Sequence, residues 1–199
     1  MIQIQVKREN RTKDTHMNGF QIAGQIVGVV AAAVMIISFQ FKDTKKLFIS
    51  QVCSTLLFTL HYALLGFGGD SGAFAGMAQN FAGVAFRVVI LLSEKHEKLK
   101  SPIALTVLCA YSAVAAALLY NGNIVTLLPT AGNVICMGIY WSGNKNTIRL
   151  GQLAVVSPCW LIYNIFTLSI SGIFTETFNI ISIIVYYIRI KAEKKNEKA

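Results

Sequence analysis

Residues 101–144, SPIALTVLCAYSAVAAALLYNGNIVTLLPTAGNVICMGIYWSGN, contain no Asp, Glu, Lys or Arg. A soluble helix would interrupt a run of that length with a polar face. One bilayer crossing takes about 20 residues, so the stretch is too long for a single span. The turn signal Asn121-Gly122-Asn123 divides it into two apolar segments. In lipid the backbone has no water to bond, and a helix satisfies it internally. Barrel strands would alternate polar and apolar residues over about ten positions. Continuous apolar runs are found instead.

The rest of the chain follows the same pattern. Residues 15–41, 47–69, 71–86 and 150–175 are also free of charged side chains. Charged residues make up 14% of the 199, against about a quarter in soluble domains. Spans are predicted at about 20–41, 48–67, 71–92, 102–120, 123–141, 149–168 and 171–190. The first 16 residues are polar and basic, and no cleavable signal peptide is evident. Residues 1–17 are expected to be a polar basic leader, either disordered or, with a true start at Met17, not translated through residue 16.

Charge sets the expected orientation. Lys42, Lys45 and Lys46 follow span one, and Lys95, Lys98 and Lys100 follow span three. Lys145 and Arg149 follow span five, and Arg189, Lys191, Lys194, Lys195 and Lys198 close the chain. With antiparallel neighbours, all of these fall on one face. Lys/Arg bias in short loops marks the cytoplasmic side. The C-terminus is therefore expected inside and the N-terminus outside. Phe39, Phe41, Tyr140, Trp141, Tyr186 and Tyr187 lie near the same ends, where interfacial rings belong. The expected partners are the bilayer and anionic lipid at the basic face. Topology already accounts for the +9 net charge, so nucleic acid is not needed to explain it. A homo-oligomer is compatible with the pattern.

An internal repeat is present. Gln51, Leu60 and Tyr62 match Gln152, Leu161 and Tyr163, and Ser71-Gly72-Ala73-Phe74 matches Ser171-Gly172-Ile173-Phe174. Asn80 falls near Asn179, and Arg87 near Arg189. The predicted fold is an all-α membrane protein of seven transmembrane helices. It is arranged as two parallel three-helix repeats joined by a linker helix. Residues 18–92 form the first repeat, 93–122 the linker loop and helix four, 123–190 the second repeat and 191–199 a basic tail. Parallel repeats about the membrane normal are a transporter architecture.

Polar residues inside spans mark candidate positions. Asn80, Asn133 and Asn179 are central, as are Pro158 and Trp160, with Pro129 close to mid-depth. Buried asparagine is costly unless it is paired or faces water. Interhelical packing and a solute pathway are about equally good readings for any one of them. Arg87 fits an inner vestibule or a snorkelling role. His61 fits a solute or proton ligand, or an interhelical hydrogen bond. Pro129 and Pro158 are candidate hinges. Gly24-x-x-x-Gly28 and Gly72-x-x-x-Gly76 read as packing. Glu176 and Asp70 are placed near outer span ends, leaving no carboxylate at mid-depth and favouring a facilitator over an ion-coupled pump. Cys53, Cys109, Cys136 and Cys159 show no metal or disulfide spacing and read as small apolar residues. No hydrolase or phosphate-loop motif occurs, so neither catalysis nor a cofactor or metal is expected.

The chain resembles the YgjV-like family of bacterial inner-membrane proteins over about residues 18–190. The resemblance rests on Gln51, His61, Leu65-Gly66, Asn80, Arg87, Leu128-Pro129, Gly132 and Arg149. It is strongest in Trp160-Leu161-Ile162-Tyr163-Asn164, Ser169-Ile170-Ser171-Gly172, Glu176, Asn179 and Arg189. Tyr163 stands where the family pattern has His. That resemblance implies the bacterial cytoplasmic membrane. More distantly, the three-plus-one-plus-three plan is similar to the SWEET and PnuC transporters, which carry sugars and nicotinamide riboside. The SWEET pattern implies solute contacts at Asn80, Asn179 and Trp160. Its full set of prolines in spans one and two is missing here. Asn164 completes the candidate solute site. The expected function is facilitated passage of a neutral polar solute, with a non-transporting membrane subunit or scaffold as the alternative.

Overall fold

The computed structural model describes residues 17–38, 41, 44–93, 95–142 and 144–196. The leader 1–16, and with it the expectation about its order, lies outside the described residues. Seven helices follow one another, with no strand among the described residues. They are α1 (Gly19–Ser38), α2 (Thr44–Phe67), α3 (Ala73–Ser93), α4 (Pro102–Leu118) and α5 (Leu128–Ser142). Next comes α6, continuous from 145 to 166, and then α7 (Ile170–Asn196). Five segments are long and apolar enough to cross a membrane: Gly19–Ser38, Ile49–Phe67, Ala73–Ser93, Ile124–Ser142 and Ile170–Arg189. The remaining two helices are α4, which is apolar but shorter, and α6, which is interrupted.

The breaks have local causes. Ser101 caps α4 by accepting from the Ala104 N–H, and Pro102 occupies the first turn, where no hydrogen bond is lost. In the 118–128 connection, Gly122 adopts a left-handed φ of 86°. Asn123 then caps a short 3-10 turn, Ile124–Leu127, that leads into α5. Within α6, an α-helix Lys145–Gly151 passes into a π segment, Gln152–Val156, and back to α-helix Ser157–Phe166. Pro158 lacks an N–H for the turn before it, and the wider π turn absorbs the mismatch. The tight turn into α7 puts non-glycine Leu168 at φ 51°, with its carbonyl held by Gln25 Nε2 at 2.7 Å.

α1, α2 and α3 pack in sequence, as do α5, α6 and α7. The two groups meet where α1 touches α7 and where α3 touches α5, while α4 covers α3 and α5. The surface is inside out compared with a soluble protein. Ile26, Val29, Ile103, Val107, Val114, Leu118, Ile181 and Ile188 face outward. Gln51, Ser54, His61, Gln79, Asn133, Ser157, Asn164 and Ser169 are buried. Exposed apolar surface on that scale belongs against lipid.

Glycines set the helix spacing. A Cβ on Gly28 would lie 2.2 Å from Ser171 Oγ and 2.6 Å from His61 Nδ1. One on Gly76 would lie 2.6 Å from the Tyr163 hydroxyl. In both small-residue motifs the second glycine makes the tighter contact.

Candidate functional site

A cavity of about 510 Å³ lies between the two helix groups. It draws Thr55, Phe58 and Tyr62 from α2, and Asn80, Gly83 and Arg87 from α3. The other group contributes Asn133, Cys136 and Tyr140 from α5, Trp160 and Asn164 from α6, and Glu176, Asn179 and Ser182 from α7. Periodicity explains the lining. Asn80, Gly83 and Arg87 recur at helical spacing on α3, as do Gly172, Glu176, Asn179 and Ile183 on α7.

One end of the cavity is closed by hydrogen bonds. Tyr62 donates its hydroxyl proton to Asn164 Oδ1. Tyr163, fully buried, donates to the Gly72 carbonyl at 2.9 Å and accepts from the Gly76 N–H at 2.8 Å. His61 Nδ1 lies 2.7 Å from the Gly24 carbonyl, which can only accept, so Nδ1 carries a proton. Its Nε2 lies 2.7 Å from Ser169 Oγ. These bonds tie α1, α2, α3, α6 and the turn before α7 at one level.

The cavity extends toward the opposite, basic end. On α2 its lining starts at Gln51 and stops at Tyr62, short of the helix end at Phe67. On α6 it begins at Ile148 and Arg149. At this end the Arg149 guanidinium sits 3.8 Å from the centre of the Tyr186 ring and donates to its hydroxyl at 2.7 Å. Lys100 approaches the Trp141 ring at 5.9 Å. Both contacts bring chain segments with basic residues to the same side.

Of the expected solute-site residues, Asn80, Asn133, Asn179, Trp160, Asn164 and Arg87 all border this cavity. Their side chains are partly committed within the protein. Asn80 Nδ2 donates to the Gly76 carbonyl at 2.9 Å, and Arg87 to the Gly83 carbonyl at 3.1 Å. Asn133 Nδ2 donates to the Gln79 backbone and side-chain oxygens, each at 3.1 Å, and Gln79 in turn donates to the Ser112 carbonyl at 3.0 Å. That chain joins α5, α3 and α4. His61 does not border the cavity; both ring nitrogens serve interhelical contacts. Pro129 is fully buried in the first turn of α5, and Pro158 follows the π segment.

The sequence places Glu176 near the outer end of its span and leaves open which way it faces. The structure places it six residues, about 9 Å of helical rise, into α7 and on the cavity wall. Asn179 Nδ2 donates to Glu176 Oε2 at 3.4 Å. The stripe that includes Gly172, Glu176 and Asn179 was a readable signal for this placement.

The arrangement defines a class: a helical membrane protein with several spans and, among them, a cavity that both polar and apolar side chains line. The chain belongs to the Imp-YgjV family of bacterial inner membrane proteins, which matches residues 22–194. No curated protein and no solved structure matches it.

Proposed function

We propose that this protein is a carrier of the bacterial cytoplasmic membrane that passes a small polar solute through the central cavity by alternating access. The observation that carries the reading is the cavity itself. Both helix groups line it with amides and rings, it is sealed at one end, and it extends toward the basic end. In this reading the chain crosses seven times, with the C-terminus and the basic face in the cytoplasm against anionic lipid, and the N-terminus outside. The sealed end then faces out. No chemical step is assigned to the site.

Two equivalent halves are part of the proposal. The contacts between the helix groups support it: exchanging α1 with α5 and α3 with α7 turns the α1–α7 contact into the α5–α3 contact. Asn80 and Asn179 both border the cavity, as do Gly83 and Ser182 at the same offset. In that register Arg87 corresponds to Tyr186, three residues before the Arg189 that the sequence repeat pairs with it. Rocking of one half against the other would open the sealed end.

The test is flux into liposomes containing the purified protein, across sugars, nucleosides and vitamins. Asn80→Ala and Asn179→Ala should each reduce uptake while melting stays within about 1 kcal/mol of the parent, given the small average value of such membrane hydrogen bonds. Undiminished flux in both variants would remove the proposed pathway.

A further inference from the structure

The sealed half of the cavity holds a carboxylate that no neighbouring cation neutralises. Glu176 lines it, and its polar contacts among the described residues are with Asn179 and Ser157, neither of them charged. Its polar surroundings are neutral. Asn179 donates to it at 3.4 Å. The Ser157 hydroxyl faces it, and that oxygen already accepts from Gln152 Nε2 at 3.0 Å. The Ser157 proton is therefore free to point at the acid.

The charged and titratable groups around it are few. Tyr62 on α2 and Cys136 and Tyr140 on α5 are within its electrostatic reach. Arg87 on α3 is held to its own helix, and Arg149 on α6 is stacked on Tyr186 toward the other end. A desolvated carboxylate in a membrane interior is expensive without a counter-charge. Rings line the same cavity: Phe58, Tyr62 and Trp160 border it together with Glu176, and the Tyr62 and Trp160 centroids are 6.1 Å apart. The Tyr62 hydroxyl is committed to Asn164 and its ring is buried against His61, Trp160 and Tyr163, so the partly buried Trp160 is the ring that a ligand can reach.

We propose that the sealed half of the cavity is a binding site for an organic cation, with the ligand's ammonium group held between Glu176 and the ring of Trp160. A carboxylate beside aromatic faces is the chemistry that recognises ammonium groups, because ring quadrupoles add attraction without a further formal charge. The site is built by one half only. The stretch of α3 around Gly76 and Met77 has no acid to match Glu176, so the ligand sits off the axis relating the halves. The inference deepens the carrier reading by making its small polar solute a positively charged one, in place of the neutral solute expected from the sequence; binding itself does not depend on transport.

The full chain in lipid nanodiscs should be titrated with choline, with tetramethylammonium, and with dimethylbutanol, the uncharged carbon isostere of choline. Saturable binding of the two cations and none of the isostere is expected. Glu176→Gln should weaken choline binding by about tenfold or more, as for a lost charged partner, and Glu176→Asp should retain most of it. Equal binding of the isostere, unchanged affinity in Glu176→Gln, or no saturable choline binding would each overturn the site. Choline-independent melting that shifts with pH in the parent but not in Glu176→Gln, with no cation bound, would also overturn it, leaving Glu176 a proton acceptor only. The carrier reading fails separately: choline bound but no solute moved sinks transport and keeps this site. Asn80-dependent flux of an uncharged solute without choline binding does the reverse.

Discussion

His61 and Ser169, 108 positions apart in the chain, meet through a 2.7 Å hydrogen bond between Nε2 and Oγ. The serine oxygen also accepts the Gly172 N–H at 3.2 Å, so its own proton goes to the imidazole. With Nδ1 donating to the Gly24 carbonyl, the ring spans α1, α2 and the turn into α7 with no spare hydrogen-bonding capacity. A satisfied, fully buried histidine in that position is a clamp rather than a ligand.

Its removal should therefore cost stability. Ser169→Ala should lower unfolding free energy in micelles by about 1 kcal/mol, the value of one net hydrogen bond. His61→Ala also opens a void and should cost about 3 kcal/mol. Denaturant melts measure both. Parent-like midpoints would show that the clamp contributes nothing.

The two glycines of Gly24-x-x-x-Gly28 should respond unequally. A Cβ on Gly24 meets its neighbours at 3.2 Å and 3.3 Å, within reach of small adjustments. On Gly28 it would collide with Ser171 and with the His61 ring just described. Gly28→Ala should destabilise by about 1–3 kcal/mol, as overpacking does. Gly24→Ala should cost less, and the order of the two melting temperatures is the check.

The helices were readable because lipid forbids charges over long runs, and residues such as Lys45, Lys95 and Arg149 punctuate them. The asparagines were readable as polar groups where none is cheap. Direction around the helix axis was harder. Depth counting placed Glu176 by distance from the span end, but whether a side chain faces lipid or interior depends on the stripe it shares with Gly172 and Asn179. His61 illustrates the complementary problem. A buried imidazole is equally suited to a ligand and to a clamp, and only the positions of the Gly24 carbonyl and Ser169 decide between them. The π segment was hidden as well: Pro158 announces a broken ladder but not which wider turn repairs it.

Cys136 offers a direct probe of where the cavity opens. It lines the wall on α5, whereas Cys53 is exposed on the outer surface of the helices. In a variant retaining only Cys136, a membrane-impermeant maleimide should label inside-out vesicles, whose basic face is accessible. Right-side-out vesicles should stay unlabelled. Labelling confined to the right-side-out preparation would reverse the proposed orientation.

The π segment predicts opposite changes in stability and transport. Gln152 and Val156, its first and last residues, both border the cavity. A π turn leaves backbone groups less well paired than an α turn and bends easily. Pro158→Ala restores an N–H for the preceding turn and lets α6 close into a regular helix. Melting should then shift upward, by up to about 3 kcal/mol if the whole cost of an interior proline is recovered. Flux through the cavity should fall, because the sealed end is carried on the stretch beyond the bend, at Tyr163 and Asn164. Liposome uptake measured beside a thermal melt separates the outcomes. A variant both more stable and fully active would show that α6 moves as one body and that the bend takes no part in opening.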